Sequence, residues 1–159
     1  MNKSIPSEEL LSSLNSLLYL YDIQDPGNFG TLLRTADWFG HKVILCSSNC
    51  VDPYNNKSVQ ASMSSLSRIM IFTIEADEIR KKFPNFRIIA TCMNGQDYGS
   101  VNFTEKSIFC LGNEAHGLPA EFISASDIAI TIKGNSLGAE SLNVSIAGGI
   151  ILSHLNSQS

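Results

Sequence analysis

The sequence predicts an α/β fold: one parallel sheet covered on both faces by helices, an α/β/α domain. Three observations lead there. Short continuous apolar runs, such as Val43-Ile44-Leu45-Cys46, alternate with stretches of helical periodicity. Hydrophobic residues make up 43% and charged residues 16%, the balance of a packed chain and not of a disordered one. The 159 residues suffice for one core, and no repeat or linker divides them. Residues 1–159 are therefore expected to form a single domain.

The elements follow in order. Ser7 before Glu8-Glu9-Leu10-Leu11 reads as a short capped helix. Residues 17–21 have a buried-strand pattern, and Asp25-Pro26-Gly27-Asn28 marks a turn. Residues 29–39 read as a helix: Phe29, Leu32, Leu33 and Ala36 share one face, Arg34 lies roughly opposite, and Gly40 follows as a stop. Residues 43–46 form a strand, 55–63 a helix, 68–74 a strand, and 76–82 a helix ended by Pro84. The basic run Arg80-Lys81-Lys82 suits that helix's C-terminal dipole. Strands at 87–91 and 107–111 come next, then a short helix at 119–125 with proline in its first turn, and a strand at 128–132. The stretch ESLNVSIAGG alternates polar and apolar residues at first. Over its full length Val144, Ile146, Ala147, Ile150, Ile151 and Leu155 fit helical spacing better, so a helix begins near Leu142 or Asn143. Gly148 and Gly149 weaken that helix, and close packing against another helix or chain would account for them.

Several function classes are excluded or disfavoured. A net charge of −4 does not suit a protein that grips nucleic acid by bulk electrostatics, although it leaves room for a local basic patch. No apolar run reaches the roughly 20 residues of a membrane span, and the N-terminus lacks the pattern of a signal peptide. Cys46, Cys50, Cys92 and Cys110 show neither a CxxC pair nor zinc-like histidine spacing, so they read as free thiols of a reducing cytoplasm, with no metal. There is no dinucleotide fingerprint after a strand, no Walker loop, no G-x-S-x-G elbow and no H-E-x-x-H.

In sheets of this kind ligands bind beyond the carboxyl ends of the strands. Three such ends carry unusual text: DPGNFGTLLRTADWFG, GNEAHGLP and KGNSLGAESLN. Arg34 in the first is either a solvated surface side chain, the usual fate, or a cation aimed at a phosphate or carboxylate. Glu114 in the second sits between Gly112 and Gly117, where backbone amides can approach a ligand, and it outranks the neighbouring His116. Ser141 and Asn143 in the third each suit a helix cap, but the pair at a strand-end loop points to a site.

Taken together, the three stretches resemble the three motifs of the SpoU-type RNA ribose 2′-O-methyltransferases of the SPOUT superfamily. The first is similar to that family's N-x-G-x-x-x-R-T-A in Asn28, Gly30, Arg34, Thr35 and Ala36. The second is similar to L-G-N-E-x-x-G-L in Leu111 to Glu114 with Gly117 and Leu118, and the third to E-S-L-N-V-S-x-A in Glu140 to Ala147. Order and spacing agree over about residues 17–155. The sequence departs from the family at Lys133, where many members carry proline, and at Gln60 and Ser64, where a basic residue and a glycine are common.

The resemblance implies a deep trefoil knot near the C-terminus, a homodimer with the site near its interface, and S-adenosylmethionine as methyl donor. It implies cofactor contacts near Thr91, Gly112, Ile132 (with Ile130 as the rival to the last) and Leu142. The implied reaction methylates a ribose 2′-hydroxyl in structured RNA, rRNA or tRNA, with Arg34, Asn28, Glu114, Ser141 and Asn143 as its residues. The alternative is a non-catalytic RNA- or cofactor-binding module of the same fold; the intact five-residue set argues against it.

Overall fold

The computed structural model describes residues 5–103, 105–135 and 141–157. Among the described residues six strands form one parallel sheet: β1 (Ser16–Leu20), β2 (Val43–Cys46), β3 (Met70–Thr73), β4 (Arg87–Asp97), β5 (Ser107–Leu111) and β6 (Ile128–Thr131). Their order across the sheet is β3-β2-β1-β5-β4-β6. The helices are α1 (Glu8–Ser12), α2 (Pro26–Trp38), α3 (Asn56–Ser62), α4 (Ile79–Lys82), α5 (Ala120–Ala125) and α6 (Val144–Ser157).

Strand alternation sends successive side chains to opposite faces, and each face has its own core. Leu18, Leu20, Ile44 and Cys46 join Leu32, Leu33, Ile151 and Leu152 of α2 and α6. Leu17, Tyr19, Val43 and Leu45 join Ile79 of α4 and Phe83 on the other face. The expected three-layer arrangement is therefore present. The expected threading of the last helix involves residues 136–140, which lie outside the described residues.

Several boundaries differ from the sequence reading, each for a local reason. The expected turn at 25–28 is the start of α2: Asp25 caps it, accepting from the Asn28 amide at 2.7 Å, and Pro26 opens its first turn. The strand expected at 68–74 starts at Met70, because Ser65–Ser67 winds into a 3-10 turn. β4 runs to Asp97 and not Thr91, with an irregularity that lets both Thr91 and Gln96 face Ile130. Arg80 is not left to the helix dipole: it donates to both oxygens of Asp127 at 3.0 and 2.8 Å, and Lys82 pairs with Glu78 at 3.0 Å. Cys46, Cys50 and Cys110 are buried, Cys92 is half-buried, and all four are free thiols.

The glycines of the last helix are partly explained by packing. A Cβ on Gly148 would collide with Leu32 and Leu111, so this glycine lets α6 sit against α2 and the sheet. Gly149 meets only Thr35, at ordinary contact distance. A further constraint lies where α3 ends. Met63 (φ 47) and Ser64 (φ 70) are both left-handed, a conformation that costs a non-glycine residue about 1–2 kcal/mol. We predict that Ser64→Gly stabilises the protein by about 1 kcal/mol. The check is the urea midpoint at constant m; a midpoint that stays put or falls contradicts strain at this turn.

Candidate active site

The strand order locates the site. From β1 the chain moves outward to β2 and β3, then returns to the other side of β1 for β4 and β5. The loops after β1 and β5 thus leave neighbouring strands in opposite directions, which opens a crevice at their carboxyl ends. The Tyr21 amide donates to the Leu111 carbonyl at 2.8 Å, which continues the pairing of the two strands into their loops.

Across this crevice runs a polar relay. The Glu114 carboxylate accepts from the backbone amides of Gln24 (3.3 Å) and Asp25 (3.2 Å) and from Nδ2 of Asn28 (3.2 Å). Oδ1 of Asn28 accepts from Nδ2 of Asn143 at 2.8 Å. Oδ1 of Asn143 in turn accepts from the Ser145 amide at 2.8 Å and its hydroxyl at 2.6 Å, which caps α6. One residue from each of the three loops takes part, and both amides are used at both ends.

A second set of bonds fixes the loop backbones. Nδ2 of Asn113 donates to the Asp22 carbonyl at 2.8 Å, while its Oδ1 accepts from the Ala115 and His116 amides. Asp22 is left-handed (φ 54), and its amide donates to buried Ser47 at 2.8 Å. Nε2 of Gln24 donates to Asp22 Oδ1 at 2.5 Å and to the Asn49 carbonyl at 2.6 Å. A Cβ on Gly112 would strike the backbone of Gly117 and Leu118, so only glycine allows this fold-back.

The sequence-predicted residues therefore divide. Asn28, Glu114 and Asn143 are joined. Arg34 is exposed on the outer face of α2 and Ser141 is exposed before α6; neither makes a hydrogen bond or ion pair with the described residues. Asn28 and Glu114 thus do not touch Arg34 directly. They hold the start of its helix. Arg34 lies one turn beyond Gly30, where a Cβ would come within 2.5 Å of the Ser58 carbonyl, so α3 packs tightly beside it.

The residues named for the cofactor stand at the carboxyl edge of the adjacent strands β5, β4 and β6. The Thr91 hydroxyl donates to the Cys110 carbonyl at 2.7 Å, which ties β4 to β5. Buried Gly112 follows β5 and half-buried Ile132 follows β6, whereas Ile130 is fully buried in the sheet. Leu142 is 49% exposed next to Asn143. The fold-back at Gly112 excludes a Cβ, and half-buried Ile132 and exposed Leu142 offer apolar surface, a lining that suits the flat adenosyl part of the cofactor. Sequence reasoning missed residues 92–96, where the chain leaves the β4–β6 ladder and exposes Met93 (63%); Gly95 within an apolar strand was the available signal. It also missed Gln24 and Asp22, for which spacing gives no sign. Among the described residues no group of three or more His, Cys, Asp or Glu is placed to hold a metal, and no helix is long and apolar enough to cross a membrane.

Comparisons with known proteins add the following. The family model described as the SpoU rRNA Methylase family matches residues 4–153. The 23S rRNA (guanosine(2553)-2′-O)-methyltransferase RlmP of Bacillus subtilis is 28% identical over 158 residues, covering 93% of this chain and 60% of that protein. A TrmH-family structure from Porphyromonas gingivalis superposes with a TM-score of 0.82 at 34% identity, covering 91% of this chain and 60% of that one. An AdoMet-bound rRNA methyltransferase from Sinorhizobium meliloti gives 0.80 at 32% identity, covering 87% and 54%. The chain spans three-fifths or less of the length of each.

The relay makes a sharp prediction. At an isolated helix N-cap, Asn and Asp are interchangeable. Here Asn143→Asp keeps the cap but leaves two acceptors facing each other somewhere between Glu114, Asn28 and the cap. We expect it to cost about 1 kcal/mol in urea unfolding; an unchanged midpoint contradicts the relay.

Proposed function

This chain belongs to the SpoU rRNA methylase family, and we propose that it transfers the methyl group of S-adenosylmethionine to a ribose 2′-hydroxyl of structured RNA, ribosomal or transfer. The observation that carries the reading is the relay from Glu114 through Asn28 to Asn143, which draws on all three loops and anchors the helix that bears Arg34. The relatives support it, since one is named as a 2′-O-methyltransferase of 23S rRNA and another was solved with AdoMet bound.

The residues take the following parts. A 2′-hydroxyl is a weak nucleophile until its proton departs. S-adenosylmethionine, held near Thr91, Gly112, Ile132 and Leu142, supplies an electrophilic methyl group. Arg34 grips the adjacent phosphate with its planar fork and stabilises the negative charge that develops on the 2′-oxygen. A guanidinium does not give up its proton, so the hydroxyl's proton passes to a neighbouring group, a phosphate or water. Asn28 and Glu114 keep the helix of Arg34 in register with the other two loops. Ser141 and Asn143 fix the third loop and the target nucleotide.

The same reading makes the protein a cytoplasmic homodimer acting without metal or membrane, with residues 1–159 as one catalytic unit. The second copy covers α6 around Ile146 and the end of α2 at Trp38, leaving Arg34 open. Trp38 is 83% exposed and Ile146 54% exposed there, beside an open groove that includes Thr35, Ser145 and Gly149. Ile146→Glu should shift the mass measured by light scattering from two copies to one; an unchanged dimer places the interface elsewhere.

The experiment that tests the reaction uses labelled S-adenosylmethionine with unmodified rRNA and tRNA. We expect Arg34→Ala to lower turnover by about 10²–10³-fold, the cost of one lost charge-stabilising group. Arg34→Lys keeps the charge but loses the fork, and should lose at least about tenfold. Near-wild-type turnover in Arg34→Lys contradicts bidentate phosphate binding, and near-wild-type turnover in Arg34→Ala contradicts the role altogether.

A further inference from the structure

Among the described residues, many basic side chains are already engaged. Arg68 pairs with Asp37, Arg80 with Asp127, Lys82 with Glu78, Arg87 with Glu105 and Lys133 with Asp97. The Arg68 guanidinium holds the Asp37 carboxyl below the usual carboxylate range. Lys106 donates to the carbonyls of Leu11 and Ser12. Among the described residues Arg34, Lys42, Lys57 and Lys81 are left without such a partner. Lys42 immediately precedes β2, and Lys81 lies in the helix that leads to the start of β4. Both belong to the amino-terminal edge of the sheet. Arg34 and Lys57 belong to α2 and α3, which are locked together at Gly30 and Ser58. Arg34 and Lys57 are thus the two of these cations carried by the helix pair that begins beside the proposed site.

Three positions before Lys57 stands an aromatic side chain that joins neither hydrophobic core. Tyr54 is 65% exposed and its ring meets no other ring among the described residues. Its backbone is nevertheless rigid. Pro53 precedes it, its amide donates to Asp52 Oδ1 at 3.0 Å, and Asn55 caps α3 by accepting from the Lys57 amide at 3.0 Å. The loop that carries Tyr54 is tied to the loop of the relay: Val51 donates to the Ile23 carbonyl at 2.8 Å, and Gln24 donates to the Asn49 carbonyl at 2.6 Å. An exposed ring is thus held at a fixed position relative to Asn28 and Glu114, next to a cation that no carboxylate neutralises.

We infer that Tyr54 and Lys57 form a binding site for an unpaired nucleotide flanking the methylated one, its base stacked on the Tyr54 ring and its phosphate held by Lys57. The inference rests on the RNA methylation reading and adds a requirement to it: the RNA beside the target must be single-stranded. A base within a duplex has no free face to offer the ring. Stacking accepts any base, so this site selects exposed strand and not sequence.

The test measures anisotropy of a labelled single-stranded RNA and of a fully paired RNA duplex, with wild type, Tyr54→Ala, Tyr54→Leu and Tyr54→Phe. Tyr54→Ala and Tyr54→Leu should weaken single-strand binding by about five- to a hundredfold and leave the duplex unaffected, while Tyr54→Phe binds as wild type. Lys57→Ala should reduce the slope of log K against log salt by about 0.7, and Lys81→Ala should not change it. Equal melting temperatures and equal S-adenosylhomocysteine affinity exclude a folding effect. If wild type binds and methylates RNA but Tyr54→Ala binds the single strand equally well, this inference alone is overturned. If wild type binds no RNA, the inference and the methylation reading fall together.

Discussion

A single carboxylate sets the orientation of everything around it in this site. Ionised Glu114 can only accept hydrogen bonds. It takes two from the backbone of the first loop, and its third forces Asn28 to present its NH2 group. The carbonyl oxygen of Asn28 is then left for Asn143, whose own oxygen is free to cap α6. Reversing either amide would set two acceptors or two donors against each other. Three loops far apart in sequence are thereby held in one arrangement by a directional chain of bonds.

The fold is what allows so short a chain of bonds to reach across three loops. Because β1 and β5 are neighbours in the sheet, the loops that follow them meet where Glu114 accepts from Gln24 and Asp25. Three close contacts then bring the elements near enough. Gly112 permits the second loop to fold back on itself, Gly30 brings α3 onto α2, and Gly148 brings α6 onto α2. Three non-glycine residues, Asp22, Met63 and Ser64, are left-handed at the edges of this arrangement. Strain of this kind persists where surrounding bonds over-determine the backbone, and Asp22 is held by Ser47, Gln24 and Asn113. The polar network thus sustains a loop conformation that the sequence would not choose in isolation.

Much of this was legible in the sequence. Apolar runs separated by helical spacing announced the parallel sheet, and the apolar face of Phe29, Leu32, Leu33 and Ala36 is the buried face of α2. The three strand-end loops were recognisable by their glycines and polar residues, and Asn28, Glu114 and Asn143 could be named. What could not be read was how they connect. Asn28 bonds both Glu114 and Asn143, a set of contacts that depends on the strand order and not on spacing. The basic run Arg80-Lys81-Lys82 does lie in the last turn of its helix, but the pairing of Arg80 with Asp127, remote in sequence, could not be read. The extension of β4 past Thr91 was missed because it mixes Cys92 and Met93 with Asn94, Gly95, Gln96 and Asp97 and buries none of them fully, and apolar periodicity is silent about such a segment.

The claim on which the account rests is that Glu114 and Asn143, which share no hydrogen bond, are coupled through Asn28. A double-mutant cycle tests it most directly: urea stabilities of Glu114→Gln, Asn143→Ala and the double variant, repeated with Asn28→Ala. The account predicts a coupling of at least about 0.5 kcal/mol between the two sites that disappears when Asn28 is truncated. Additive effects in the presence of Asn28, or coupling that survives its removal, would contradict it.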